Sequence, residues 1–126
     1  MLLRLAIALA VFATVWLAVR LWRRPPSLRR LDLADLGIEG PAIVQFSTRS
    51  CAPCRTAAPV LREAAKAAGV AYAQVSLDER ADLAHRYRIR TVPTIVVAGR
   101  GGAVEGVWTA LPGNGEIVRA ATAAAR

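Results

Sequence analysis

The chain has 126 residues, of which 55% are hydrophobic, with 17 basic and 9 acidic side chains and a formal net charge of +8. That length holds one domain and excludes two. Four of the arginines (Arg4, Arg20, Arg23, Arg24) flank the first apolar run, leaving thirteen basic and nine acidic residues, a net +4, with no basic helix face and no aromatic-basic platform; this speaks for a basic collar on anionic lipid headgroups and against a nucleic-acid binder.

From Leu5 to Val19 no residue is charged. With Leu2, Leu3, Leu21 and Trp22 added, and Arg4 and Arg20 able to snorkel, the stretch reaches about 20 residues, the length that crosses a bilayer as a helix. Trp16 and Trp22 stand toward one end, as interfacial aromatics do. A signal peptide shares the charged start and apolar centre, but Val19-Arg20-Leu21-Trp22-Arg23-Arg24 offers no small-x-small cleavage site. A soluble core helix is the third reading, and a domain of about 100 residues is small to cover a helix apolar all round. The expectation is an uncleaved anchor over residues 2–22, with the lipid bilayer as its partner. Arg4 precedes the span, whereas Arg20, Arg23, Arg24, Arg29 and Arg30 follow it. The positive-inside rule then puts the following domain on the cytoplasmic face, the outer face being the alternative.

Residues 23–27, basic and then Pro25-Pro26-Ser27, read as a short stiff linker, and the domain as 28–126. Leu28 to Leu31 predicts a short first strand. Asp32 is placed to cap a brief helix from Leu33 to Gly37. Ala42 to Ser47 is short, apolar and β-branched, a buried central strand. Arg55 to Ala68 has apolar positions at helical spacing, Ala57, Val60, Leu61, Ala64, Ala65 and Ala68, with Pro59 inside and Gly69 as the stop. Val70 to Leu77 predicts a strand, Asp78 to Arg86 a polar helix with Leu83 inward and His85 on its surface, and Thr94 to Ala98 an apolar strand. Gly99-Arg100-Gly101-Gly102 turns into a hairpin partner, Ala103 to Trp108, where Trp108 packs. Asn114 caps a last helix, Glu116 to Ala125. The order β-α-β-α-β-α-β-β-α gives an α/β fold: one mixed sheet, half parallel and half hairpin, between helices.

The two cysteines of the chain stand as Cys51-Ala52-Pro53-Cys54 between a strand and a helix. Half a zinc site is one reading, but structural zinc takes four ligands and His85 is the only other soft one, so a dimer would be required. A static disulfide is another, and a ring this small constrains little of the unfolded chain. The redox reading uses more of the residues. Cys51 becomes the solvent-facing thiol at a helix start, where free amides and the helix dipole lower its pKa below the free value of about 8.5. Arg49, Arg55 and, if folded nearby, Arg90 act in the same direction. Cys54, one turn inside, is sheltered and acts second. Pro53 lacks an N–H where helix amides are unpaired anyway.

The segment Val44-Gln45-Phe46-Ser47, then Cys51-Ala52-Pro53-Cys54-Arg55 and Pro59-Val60-Leu61, resembles the active-site strand and helix of the thioredoxin family, Pro59 matching its kink proline. Ile89-Arg90-Thr91-Val92-Pro93-Thr94 resembles that family's cis-proline loop, and Gly101 its hairpin glycine. The resemblance runs from about Leu28 to the C-terminus. It implies a thioredoxin-like fold and a thiol-disulfide oxidoreductase in which Cys51 is the nucleophile and Cys54 resolves, with no metal or organic cofactor beyond the Cys51–Cys54 disulfide. It also implies protein disulfide substrates, an upstream reductant, and docking of an extended peptide along Val92 and Pro93 near Ser50. Pro53, Arg55, Gln45 and Pro59 support the site. Four positions depart from the family. Ser50 replaces a Trp, and Ala52 a Gly. Gln45 replaces a buried Asp that helps move the proton of the resolving thiol, and Gln74 replaces the Lys that pairs with that Asp. These changes bear on efficiency, potential and recognition by a reductase, and leave thiol exchange itself in place. Two alternatives stand beside the tethered oxidoreductase: an extracytoplasmic cytochrome-maturation type, for which the segment between helix and next strand is short, and a membrane-anchored peptide-binding module with little turnover.

Overall fold

The computed structural model describes residues 1–23 and 28–126, so all of the 23–27 linker except Arg23 lies outside the described residues. The first helix, α1 (Leu2–Trp22), has a mean hydropathy of 2.3 and no buried residue. Its length and composition suffice to cross a membrane, as those of a signal sequence near an N-terminus also do.

Four strands form one mixed sheet in the order β2-β1-β3-β4. β1 (Ala42–Ser47) is the spine, buried along its whole length; it pairs in parallel with β2 (Ala71–Ser76) and antiparallel with β3 (Thr94–Ala98). β4 (Val104–Trp108) returns antiparallel on β3 through the turn Gly99–Gly102. Both faces of β1 and β3 are covered, which is why these strands read as continuous apolar runs. On one face lie α2 (Ala52–Ala68) and α4 (Asn114–Ala125), with Ile43, Leu61, Ile95, Val97 and Ile117 interleaved. The alanines Ala57, Ala64, Ala121 and Ala124 pack in the same layer, and their small side chains let the two helices approach. On the other face α3 (Ala81–Arg86) and the segment 31–38 cover Val44, Phe46 and Val96 with Leu31, Leu33, Leu83, Tyr87 and Ile89.

The predicted strand at Leu28–Leu31 is reduced to a single bridge, Arg30 to Ala103. Leu31 N donates to Gly102 O and Val104 N to Arg29 O, and the chain then leaves. It leaves because Asp32 N donates to the Tyr87 hydroxyl (3.0 Å) and the Asp32 carboxylate takes Asp35 N (3.1 Å), which curls the backbone. The predicted helix at Leu33–Gly37 is one turn only: Gly37, at φ 68°, closes it with Ile38 N on Leu33 O. A single turn fixes several dihedrals for one hydrogen bond, so five residues do not propagate a helix. Gly102 is the glycine this corner requires. Its φ is 87°, and a Cβ there would run into the Leu31 carbonyl oxygen.

Three helix starts move. α2 begins at Ala52, ahead of the predicted Arg55, since Cys51 itself is the cap. α3 begins at Ala81 because residues 77–79 form a turn, with the Asp78 carboxylate bound to Arg49 N (2.7 Å). α4 begins at Asn114 with Gly113 in the cap position, in place of the predicted Asn114 cap. Trp108 packs against Gly106, whose missing side chain makes room for the indole, and donates Nε1 to Glu116 in the first turn of α4 (3.1 Å).

Candidate active site

The parallel strand β1 ends at Ser47, and Cys51 N donates to Thr48 O to close the turn that follows. Cys51 occupies the N-cap of α2 in an extended backbone conformation (φ −84°, ψ 97°), and its Sγ accepts a hydrogen bond from Cys54 N at 3.2 Å. A sulfur thus does what a Ser or Asp oxygen does at other helix starts: it satisfies one of the four free amides. The same donor that serves a cap serves a thiolate, and charge on Sγ is favoured at the positive end of a 17-residue helix. Pro53 stands in the first turn of α2, where its missing N–H leaves nothing unpaired.

Cys51 and Cys54 form a disulfide, S–S 2.05 Å, with their Cα atoms 5.3 Å apart. Cys54 is 1% exposed and Cys51 6%. The order of exposure is the expected one, but the expected solvent-facing thiol is largely covered in this disulfide form. Cys51 lies at the base of the 48–51 turn, and it is the neighbours Ser50, Ala52 and Pro53 that are exposed.

Arg55, on the first turn of α2, donates Nη1 back to Arg49 O (3.2 Å), while Arg49 N is fixed by Asp78. Both guanidinium-bearing residues are therefore held on the turn that leads into Cys51. Arg90 lines a shallow depression of the α3 end with His85 and Arg88, all three exposed. Pro59, in the middle of α2, is exposed, and its missing N–H withdraws the usual i−4 donor from Arg55 O.

Facing Pro53 and Thr56 across an open groove of about 640 Å³ are Val92, Pro93, Thr109 and Leu111. The Val92–Pro93 peptide bond is cis, Pro93 is buried, Val92 is half-buried, and Thr94 Oγ1 donates to Thr91 O (2.7 Å) across the loop. Met1 aside, Leu111 is the one large hydrophobic side chain exposed outside α1 among the described residues, and it sits on this groove. Sequence reasoning passed over it because a lone Leu between turn residues has no periodic neighbour.

Beneath the helix start, Gln45 of β1 is fully buried and donates Nε2 to Cys54 O (2.9 Å). Its partner on the other side is not the Gln74 that stands across from it in the strand register. Gln74 donates to Ser47 Oγ (3.0 Å), and Gln45 Oε1 accepts from the Tyr72 hydroxyl at 2.6 Å. Tyr72 was missed; its place on the Gln45 face follows only from the β1–β2 register. Burial raises the Tyr72 phenol above its ordinary value, with the Arg62 guanidinium, 5.3 Å from the ring centroid, opposing that rise. Among the described residues every buried side-chain nitrogen and oxygen has a partner, and no three His, Cys, Asp or Glu side chains converge.

The arrangement suits a two-thiol exchange: a capped, helix-start sulfur, a sheltered second sulfur, and an apolar groove beside them. The family model described as Thioredoxin matches residues 34–119. The chain is 37% identical over 83 residues to the chloroplastic thioredoxin M5 of Oryza sativa subsp. japonica, covering 64% of this chain and 48% of that protein. It is 38% identical over 64 residues to thioredoxin of Rhodospirillum rubrum, covering 49% and 62%. It thus spans between about half and two thirds of the length of these curated relatives. In fold it is similar to a mutant thioredoxin from Halobacterium salinarum, with a TM-score of 0.64 at 24% identity over 75% of this chain and 83% of that one. A thioredoxin-like protein of Clostridium perfringens superposes with a TM-score of 0.61 at 22% identity, over 75% and 78%.

Proposed function

The chain belongs to the thioredoxin family, and from that premise we propose that it is a membrane-tethered thiol-disulfide oxidoreductase acting on protein disulfides. The observation that carries the reading is the Cys51 cap: the amide of Cys54 points at Sγ, ready to stabilise the thiolate that attacks. The Cys51 thiolate displaces one sulfur of a substrate disulfide and forms a mixed disulfide. The Cys54 sulfur then attacks Cys51 Sγ, the second substrate sulfur leaves, and Cys51–Cys54 is the oxidised product. Two electrons pass from the dithiol to the substrate, and no metal or organic cofactor takes part. An upstream reductant resets the pair.

The groove along Val92, Pro93 and Leu111 is where an extended substrate segment lies, its backbone beside Val92 and an apolar side chain against Leu111. Ser50, exposed on the 48–51 turn, puts no bulky side chain beside Cys51.

Anchoring rests on α1, apolar over a spanning length and uncovered by the domain. The arginines that follow it support a cytoplasmic placement, where the poise favours the reducing direction. Slow reaction of reduced Cys51 with a membrane-impermeant thiol reagent in intact cells is the expected result; fast reaction puts the domain outside.

Insulin-disulfide reduction driven by dithiothreitol tests the chemistry. Wild-type protein is expected to accelerate it and Cys51→Ser to fall to the uncatalysed rate; equal rates would sink the enzyme reading. In Cys54→Ser, mixed disulfides accumulate on Cys51 if the protein turns over, whereas a peptide-binding module yields none.

A further inference from the structure

Gln45 is buried completely, so both ends of its amide must be satisfied within the protein. A backbone carbonyl only accepts; the end facing Cys54 O is therefore Nε2, and the end facing Tyr72 is Oε1. The polarity of the chain follows. The Tyr72 hydroxyl must donate, and it can do so only while it keeps its proton. The burial that raises its ionisation keeps it protonated, and the charged group against its ring, Arg62 of α2, is a cation that cannot take that proton. Tyr72 reaches Gln45 diagonally across two strands, a contact within range of a long aromatic side chain.

We propose that Tyr72 is a positioning residue for the resolving half of the exchange: its hydroxyl locks the Gln45 amide, and that amide holds the Cys54 backbone over a floor that neither takes nor gives a proton. This rests on the thiol-disulfide exchange proposed above. In the resolving step the Cys54 S–H bond breaks as the Cys54–Cys51 S–S bond forms, and the mixed disulfide is cleaved. The Cys54 proton ends on the departing substrate sulfur, which leaves as a thiol, so electrons and protons balance without a buried base. What the floor supplies is a fixed direction of approach for Cys54, which matters for attack along the S–S axis.

The experiment separates formation from resolution of the mixed disulfide in single turnovers of the reduced full-length protein with a disulfide-linked peptide. Tyr72→Phe keeps the ring and removes the hydroxyl. It is expected to slow resolution about tenfold, the scale of one buried hydrogen bond, and to leave formation unchanged. Tyr72→Phe combined with Gln45→Leu removes the hydroxyl and the amide together and takes the side-chain donor from Cys54 O, so the melting temperature recovers in part while resolution stays slow. The proposal is overturned if Tyr72→Phe resolves at the wild-type rate, if formation slows equally, or if the double variant regains both stability and rate. Failure of the underlying exchange reading looks different: wild-type protein then forms no mixed disulfide on Cys51, before any substitution at Tyr72.

Discussion

On the α3 side of the sheet the buried layer is hydrocarbon and ring, Leu31, Phe46, Leu83 and Ile89 with Tyr87, apart from the Thr94 hydroxyl at its end on Thr91 O, and the charged groups above it stay at the surface as the cluster Asp35, Arg80, Asp82 and Arg86. On the α2 side, in the layer that carries the dithiol, an amide is buried completely and held by a phenol and a helix carbonyl. Burying an amide is costly unless both ends are paired, and hydrocarbon of the same size would stabilise more. The face that only holds the fold avoids that cost. The face under Cys54 accepts it, and gains a fixed direction where the second thiol must act.

The comparison breaks most visibly at the cysteine. Cys51→Ser is expected to abolish turnover while the reduced protein keeps its urea midpoint, since Ser is itself a good helix cap. Loss of both would mean that chemistry and fold are not separable on this face. The mirror experiment is Leu83→Ala, on a fully buried residue of the opposite face. It should cost about 2–5 kcal/mol in urea denaturation and leave the rate of mixed-disulfide formation per folded molecule unchanged. Gly102→Ala is next: positive φ and the Leu31 carbonyl both oppose a Cβ, so a loss of more than ~1 kcal/mol is expected, with faster amide exchange at Leu31. Such a loss without any change in exchange at Cys54 keeps the two faces distinct.

The smallest effect lies in the surface cluster. The Arg80 guanidinium, and Arg86 after it, hold the Asp35 carboxyl below the usual carboxylate range, and Arg80 does the same for Asp82. Folded values below the unfolded value mean that their contribution is complete at neutral pH and is lost as pH falls through about 4 and below. These groups are exposed, so Arg80→Gln should only flatten the acid limb of the urea midpoint slightly. Tyr72 gives the opposite limb: its raised value predicts stability lost as pH rises past about 10, and tyrosinate absorbance in Tyr72→Phe against wild type assigns the late titration.

Most of the fold was legible because its signals are local. The runs 42–47 and 94–98 are apolar enough to name themselves as buried strands, and the spacing from Ala57 to Ala65 marks the inner face of α2. The failures share a physical cause. Leu28–Leu31 has strand composition, but whether it pairs along its length depends on Asp32 finding Tyr87, 55 residues away. Leu33–Gly37 has a helix cap and stop, but too little between them. At the site, the cysteines and Pro93 stand in recognisable strings, whereas Tyr72 acquires its place only when β1 and β2 pair in register. The substitution of Gln45 was visible in the sequence; the identity of its partner was not, because Gln74 lies opposite and turns away.

The stitch between residues 29–31 and 102–104 has one more implication. In the sheet, Ala42 pairs with Ala98 at that end and Phe46 with Thr94 at the other, where the dithiol turn and Pro93 lie. Four steps of about 3.3 Å between five rungs separate the two ends by roughly 13 Å of close-packed strand. The sheet thus works as an insulator: a defect at the stitch, such as Gly102→Ala, loosens one pole while the redox pole keeps its geometry.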